Sequence, residues 1–563
     1  MNVRQRWTQR ALALAVVAVA AVPATPPAAP TAIEPAMSVI VRETPGSGHA
    51  AETAVEAAGG TVGNHIGIIG GFVATVPRGS VGSLEAAAGV ESVTVDRAIS
   101  LAGSPSSNGH YDPRTDPGSM FNAAEVVKAR YMWERGITGR GVDVAIIDSG
   151  VAPVEGLTGA GKIVNGPDLS WESQNREIRY LDTNGHGTHL AGIIAGRDSD
   201  IAAGREAKEA QGFLGVAPDA RLVSVKAAPA SGATDVSQVI AAIDWVVQHR
   251  NRDGLNIRVL NLAFGTDGVQ DYRLDPLTYA AEVAWRKGIV VVASAGNRGF
   301  GSAQLNNPAY DPYVIAVGAS DTNGTYPVKD DVVPAWSSRG DGTRNPDVVA
   351  PGKSVVSLRS PGSQADTSHP EGHVGDRFMR ASGTSQAAAI VSGAAALLLQ
   401  ERPELTPDDV KRLMMTTAVP MPAADRVAQG SGLVNLQDAS RAPTPRAAQT
   451  WPLATGTGSL ELARGSNHLE MDGQPLVGEA DIFGVVWDPA TWTKTSWSES
   501  SWTGGTWNKT SWSGDSWTDA GWAKTSWSGT EWGKTSWSKT SWSSDAWSKT
   551  SWSGDGWSRS GWE

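Results

Sequence analysis

The chain has 563 residues, 40% of them hydrophobic, a formal charge of −11, 23 Trp and no Cys. Such a length points to several folding units. The charge is spread without a long basic or acidic run, so the electrostatic footprint of a nucleic-acid binder is missing, and without Cys the fold relies on packing, bound ions or the tail instead of disulfides.

In chain order, Arg4, Arg6 and Arg10 precede the apolar run Ala11 to Val22 and then small residues and prolines. This is the layout of a secretory signal peptide over 1–30. A membrane anchor is the alternative, but about 12 helical residues cover only ~18 Å of a ~30 Å bilayer core. Residues 37–100 read by period and Gly/Pro punctuation as strand, helix, strand, strand, helix, strand, the ferredoxin-like α+β order. Residues 101–121 (LAGSPSSNGHYDPRTDPGSMF) carry too little apolar surface to pack and read as an exposed linker.

From 122 to 440, apolar runs such as VDVAIID, RLVSVKA, RVLNLAF, IVVVASAG and YVIAVGA alternate with helical stretches. β-Branched runs without polar alternation suit strands buried on both faces, so the expected class is α/β, a parallel sheet flanked by helices. Residues 441–486 read as a linker and small module. From 487 to 563 Trp recurs every five residues, from Trp487 to Trp562. That period matches neither a helix nor a strand. A β-solenoid with stacked Trp, a sugar- or cell-wall-binding surface and a disordered low-complexity tail all fit it.

Four segments carry residues suited to chemistry. Asp148 ends the apolar strand AIID, on the side where open α/β sheets build their sites, although an Asp before Ser-Gly also caps turns. His186 stands between glycines in NGHGTHLAG at a helix start, where its ring is accessible. His186 and His189 could suggest a metal pair, but there is no HExxH glutamate and no Cys ligand, and His189 reads as packed. Ser385 begins a segment apolar on every side, where free N–H groups and the helix dipole favour an oxyanion; an N-cap is the plainer role. Asn297 follows the buried strand IVVVA and could donate to a developing oxyanion or merely form a turn.

Together, DSG, HGTHLAG, SAGN and GTSQAAAIVSG resemble the catalytic boxes and oxyanion Asn of the subtilisin-like (S8, subtilase) serine proteases, in that family's chain order of Asp, His, Ser. The resemblance covers about 37–440, with further likeness in VLNLAFG, NPAYDPYVIAVGA, WSSRGDG, DVVAPG and GSGLVNL. It implies a secreted serine endopeptidase in which Ser385 is nucleophile, His186 base and acid, Asp148 its orienting partner and Asn297 an oxyanion donor. It also implies that 37–100 is an I9-like inhibitory propeptide acting on its own chain. Protein or peptide substrates would lie extended between Ser231–Gly232 and the strand end Ala263–Phe264–Gly265. No cofactor is required by this chemistry; structural calcium is frequent in the family, but no ligand cluster is assignable. Gln386 stands where the family usually has Met, Ala389 where Pro is frequent and Ile390 where His is frequent, while Ala263 and Phe264 replace Ser and Leu. The alternative is an inactive subtilase fold that binds cell surfaces through the Trp tail.

Overall fold

The computed structural model describes residues 36–95, 111–300, 304–471, 474–481 and 486–488, with short strand pieces between 497 and 512. The 1–30 leader reading therefore lies outside the described residues, as does most of the Trp tail. Contacts divide the chain into two compact units, 1–104 and 105–563.

The first unit consists of β1 (Ala36–Glu43), α1 (Ala50–Ala57), β2 (Thr61–Ile66), β3 (Gly71–Pro77), α2 (Val81–Glu85) and β4 (Val90–Val95). Its antiparallel sheet has the order β2-β3-β1-β4. Alternate strand positions, Val39 and Val41 on β1 with Phe72, Ala74 and Val76 on β3, share one face, and Ala51 and Val55 on α1 cover it at helical spacing.

The second unit is built on seven parallel strands: β5 (Asp143–Asp148), β6 (Ile163–Asp168), β7 (Arg221–Lys226), β8 (Ile257–Leu262), β9 (Val290–Ser294), β10 (Ile315–Ser320) and β11 (Val348–Pro351). Their order is β11-β10-β9-β8-β5-β7-β6, with every pairing parallel. Every residue of β5, β9, β10 and β11 is buried. Helices cover both faces, as the unbroken β-branched runs require. The α/β expectation is met.

Four helices matter for the site: α3 (His186–Ala195), α4 (Val236–His249), α5 (Pro276–Arg286) and α6 (Thr384–Glu401). Helix α6 is buried from Thr384 to Leu399, and its alanine-rich surface lets it sit against α3 and the strands β8 to β11. Helices α4 and α5 begin on Asp N-caps, Asp235 and Asp275.

Two stretches differ from the sequence reading. Residues 111–121 are not exposed throughout but pack on the peptidase unit: the Tyr111 and Phe378 rings lie 5.2 Å apart, Asp116 pairs with Arg380 at 2.5 Å, and Ser119 is fully buried. Specific polar contacts do here what apolar composition did not announce. The small module expected within 441–486 is present as a short helix and a two-strand hairpin, Glu470–Met471 with Gln474–Pro475, and what the sequence does not announce is that it and the linker before it make contacts with the sheet domain. Glu282 on α5 accepts the Ala454 N–H at 2.9 Å, and the short helix α7 (Leu460–Arg464) places Leu460 and Ala463 in the main core together with Trp487, the first residue of the pentad series. In the tail, Trp497–Ser498 pairs antiparallel with Ser501–Trp502, and Gly505–Trp507 with Thr510–Trp512.

Candidate active site

The buried strand β5 delivers Asp148 at its C-terminal end. The Asp148 carboxylate faces Nδ1 of His186 at 2.8 Å (Oδ1) and 2.9 Å (Oδ2). A carboxylate accepts, so the contact favours the tautomer with a proton on Nδ1 and turns Nε2 to the other side of the ring. Ser149 N–H donates to Asp148 Oδ1 at 2.8 Å and holds the carboxylate from behind.

His186 is the first residue of α3. The following glycine is a packing requirement: a Cβ on Gly187 would stand 2.1 Å from the Gly150 carbonyl oxygen. Only bare backbone lets the first turn of α3 close onto the turn that follows β5.

Asp182, four residues before His186, was not singled out in the sequence. It is buried, and its carboxylate accepts from Gly185 N–H at 2.7 Å, Thr188 N–H at 2.7 Å and Ser149 Oγ at 2.8 Å. Ser149 Oγ in turn accepts from Gly187 N–H at 3.0 Å. Asp182 thus ties the start of α3 to the end of β5 and fixes the Asp148–His186 geometry. Desolvation pushes its carboxyl above the usual range, against the pull of these donors. An Asp preceding Asn-Gly, as in DTNGH, was the available signal.

At the other half of the site, Ser385 is the second residue of α6, and its backbone N–H lies in the first turn, where no helical carbonyl reaches it. Its Oγ donates to the Ala263 carbonyl at 2.9 Å. The hydroxyl is therefore turned toward the strand end beyond β8. Asn297, three residues past β9, has its amide orientation fixed: Oδ1 accepts from Thr384 N–H at 2.9 Å and from Thr384 Oγ1 at 2.9 Å. Nδ2 then faces away from Thr384, 3.2 Å from where a Cβ on Gly383 would stand, so the glycine before Thr384 keeps that space open. Thr384 Oγ1 also accepts from Gly296 N–H at 3.1 Å. The GTS triplet marks Ser385 in the sequence, whereas the contacts of Thr384 form only once the two loops meet.

The structure thus brings Asp148 and His186 into direct contact, joins Asn297 to the α6 start, and joins Ser385 to Ala263. Helices α3 and α6, which carry His186 and Ser385, pack against each other. Gln386, Ala389 and Ile390 are buried along α6. His189 is also buried, and its Nε2–H donates to the Met379 carbonyl at 3.1 Å; burial pushes its pKa down to about 3, so it stays neutral and packed. Among the described residues, no three His, Asp or Glu side chains converge to hold a metal ion.

Of the expected substrate edges, Ser231 is exposed beside Gly232, which adopts φ 74°, while Ala263, Phe264 and Gly265 are buried. Ala230 is pinned next to them: its N–H donates to Glu172 Oε1 at 2.9 Å and its carbonyl accepts from Asn184 Nδ2 at 2.8 Å. Glu172 is held by the fully buried Lys226 at 2.5 Å, a pair that lies at the end of β7 and was missed in the sequence. Chemically, the residues at this pole of the sheet include an imidazole oriented by a carboxylate, a hydroxyl at a helix start, and the Asn297 Nδ2 and Ser385 backbone nitrogens, which lie 3.2 Å and 3.7 Å from where a Cβ on Gly383 would stand. That set can move a proton and stabilise a negative oxygen.

The family model described as "Subtilase family" matches residues 139–456. Serine protease AprX of Bacillus subtilis (strain 168) is 36% identical over 328 residues, covering 57% of this chain and 71% of its own. Subtilisin Savinase of Lederbergia lenta is 33% identical over 317 residues, covering 56% of this chain and 96% of its own. The minor extracellular protease Epr of Bacillus subtilis (strain 168) is 28% identical over 323 residues, covering 57% of this chain and 42% of its own. Taken with the parallel sheet and the groups gathered at its carboxyl end, these matches mean that the chain belongs to the subtilase family and is a serine-type endopeptidase.

Proposed function

We infer that the chain is an exported endopeptidase that cleaves extended protein segments through an acyl-enzyme formed on Ser385. In the reaction Ser385 Oγ turns from Ala263 to His186, whose Nε2 takes its proton as Oγ attacks the substrate carbonyl carbon. Asn297 Nδ2 and the Ser385 N–H donate to the oxygen that becomes negative. His186 then passes the proton to the leaving amine, and water, deprotonated at the same nitrogen, releases the acyl group. Asp148 keeps the proton on Nδ1 and balances the imidazolium.

The observation that carries this reading is the Asp148–His186 contact at 2.8 Å, which leaves Nε2 as a base at the pole that also holds Ser385 and Asn297. Export is supported by the leader-like residues 1–30 and by the similarity to an extracellular protease. The amino-terminal unit acts as the enzyme's own inhibitor until removed, a role supported by its separate core and by its order before the peptidase. The Trp tail gives the exported enzyme contact with cell-wall or other polysaccharide, a role supported by the recurrence of indoles, whose faces suit sugar rings.

Hydrolysis of an unfolded protein by wild type and by Ser385→Ala, His186→Ala and Asp148→Ala tests the reading. All three variants should lose turnover by several orders of magnitude while remaining folded by circular dichroism. A folded Ser385→Ala that still cleaves, or a folded wild type that never does while its isolated tail binds polysaccharide, overturns it in favour of a surface-binding protein.

A further inference from the structure

Residues within 459–471 and 474–481 touch both edges between which a substrate is expected to lie. Within α7, two neighbouring residues each contact one of the edges. The Ala463 carbonyl accepts from Thr266 Oγ1 at 2.5 Å, on the stretch that continues from Ala263–Gly265. The Arg464 guanidinium donates from Nε to Asp235 Oδ2 at 2.6 Å, on the loop that continues from Ser231–Gly232.

Each contact is reinforced. On the Ala263 side, Asp267 accepts from Ser466 N–H at 2.6 Å and Ser466 Oγ at 2.5 Å, and Gln270 Nε2 donates to the Ser459 carbonyl at 2.7 Å. On the Ser231 side, Leu469 and Leu476 pack on Ala233, with Trp171 against the same cluster. The side chains of Arg464 and Asp235 are both 0% exposed. Arg464 also donates to the Gly478 carbonyl at 2.6 Å and to the Ala480 carbonyl, so its N–H groups are bound on every side. Such a buried cation is tolerated only where its partners are fixed, which makes it a rigid spacer.

We propose that residues 459–471 and 474–481 form the far wall of the substrate channel and that Arg464 is the positioning residue that sets the separation of its two edges. The proposal rests on the endopeptidase reading and adds a structural basis for selecting long, extended substrates. The Ser385 hydroxyl meets the Ala263 carbonyl, whereas α7 meets the same stretch from Thr266 onward. The wall therefore acts on substrate residues remote from the cleaved bond, and the bond-making groups are served by other contacts. An extended peptide pairs its backbone with both edges at once, so a change in their spacing loses hydrogen bonds only for substrates long enough to reach the wall.

The test compares wild type with Arg464→Ala, Arg464→Lys and Thr266→Val on two substrates, a short ester with one amino-acid residue and a peptide with five residues before the cleaved bond. Fluorophosphonate labelling reports the catalytic groups independently. In Arg464→Ala, KM for the long peptide should rise about tenfold, with labelling rate and ester turnover within about twofold of wild type. Arg464→Lys should restore part of the loss, because it keeps the charge but not the fork. If Arg464→Ala does not label, it has lost its fold, and Thr266→Val, which removes the hydroxyl's bond to the Ala463 carbonyl together with its weaker one from Gly268 N–H at 3.3 Å, decides with a rise of about threefold on the long peptide alone. Equal effects on both substrates, or none on either in a variant that labels, overturn the wall; a wild type that neither labels nor cleaves the ester refutes instead the endopeptidase reading beneath it.

Discussion

Thr384→Val isolates how the oxyanion donor is held. Thr384 supplies both hydrogen bonds to Asn297 Oδ1, one from its backbone and one from its hydroxyl, each 2.9 Å long. Valine keeps the shape and the backbone bond, removes the hydroxyl bond, and leaves Gly296 N–H without its 3.1 Å acceptor. One such bond to a neutral acceptor contributes about 1 kcal/mol, so an amide held by a single bond should cost about fivefold to tenfold in turnover. Removing the donor itself, in Asn297→Ala, should cost about 10² to 10³. Because Thr384 works through Asn297, the double variant should be no slower than Asn297→Ala alone. Single-turnover acylation by a chromogenic peptide, measured on the wild type, both single variants and the double variant, supplies the four rates. A Thr384→Val rate equal to wild type, or a double variant slower by the product of the two single effects, refutes the reasoning.

Other outcomes follow from buried groups. Asp182→Ala strips the acceptor from Gly185 N–H, Thr188 N–H and Ser149 Oγ at about 1–3 kcal/mol for each donor left without a partner, so the melting temperature should fall sharply; an unchanged melting temperature contradicts the role given to Asp182. Lys226→Met leaves Glu172 without its 2.5 Å cation partner beside Ala230 and should destabilise by about 3–5 kcal/mol, read by urea titration of the Ser385→Ala protein to avoid self-digestion. Asp244 has its pKa pushed up to about 7 by burial, so its ionised form is disfavoured in the folded state. The native state then holds a proton that the unfolded chain releases near pH 4, and stability falls as pH rises from about 4 to about 7. Asp244→Asn should match wild type below that window and exceed it above pH 7 by at most about 4 kcal/mol; a difference independent of pH contradicts the assignment.

The sheet was legible because its strands are short, β-branched and unalternated, and the buried helix α6 because no face of it is polar. Asp148, His186, Asn297 and Ser385 stand out in the sequence because each sits where a strand ends or a helix begins, near glycines that mark close backbone approach. Contacts formed across great sequence separation were not. Arg464 reads as an ordinary surface charge in ELARGS, and its partner Asp235 lies 229 residues away. Asp182 and Thr384 read as turn residues because their donors and acceptors become neighbours only after the loops close. Residues 111–121 looked exposed since polar pairing, here Asp116 with Arg380, leaves no apolar pattern to read.

The central claim is that one hydroxyl, activated by one imidazole, carries the acyl group. Peptide mapping by mass spectrometry after fluorophosphonate treatment tests it: wild type should carry a single adduct on Ser385, and His186→Ala should carry little or none under the same exposure. An adduct on another residue, or equal labelling in both proteins, contradicts it.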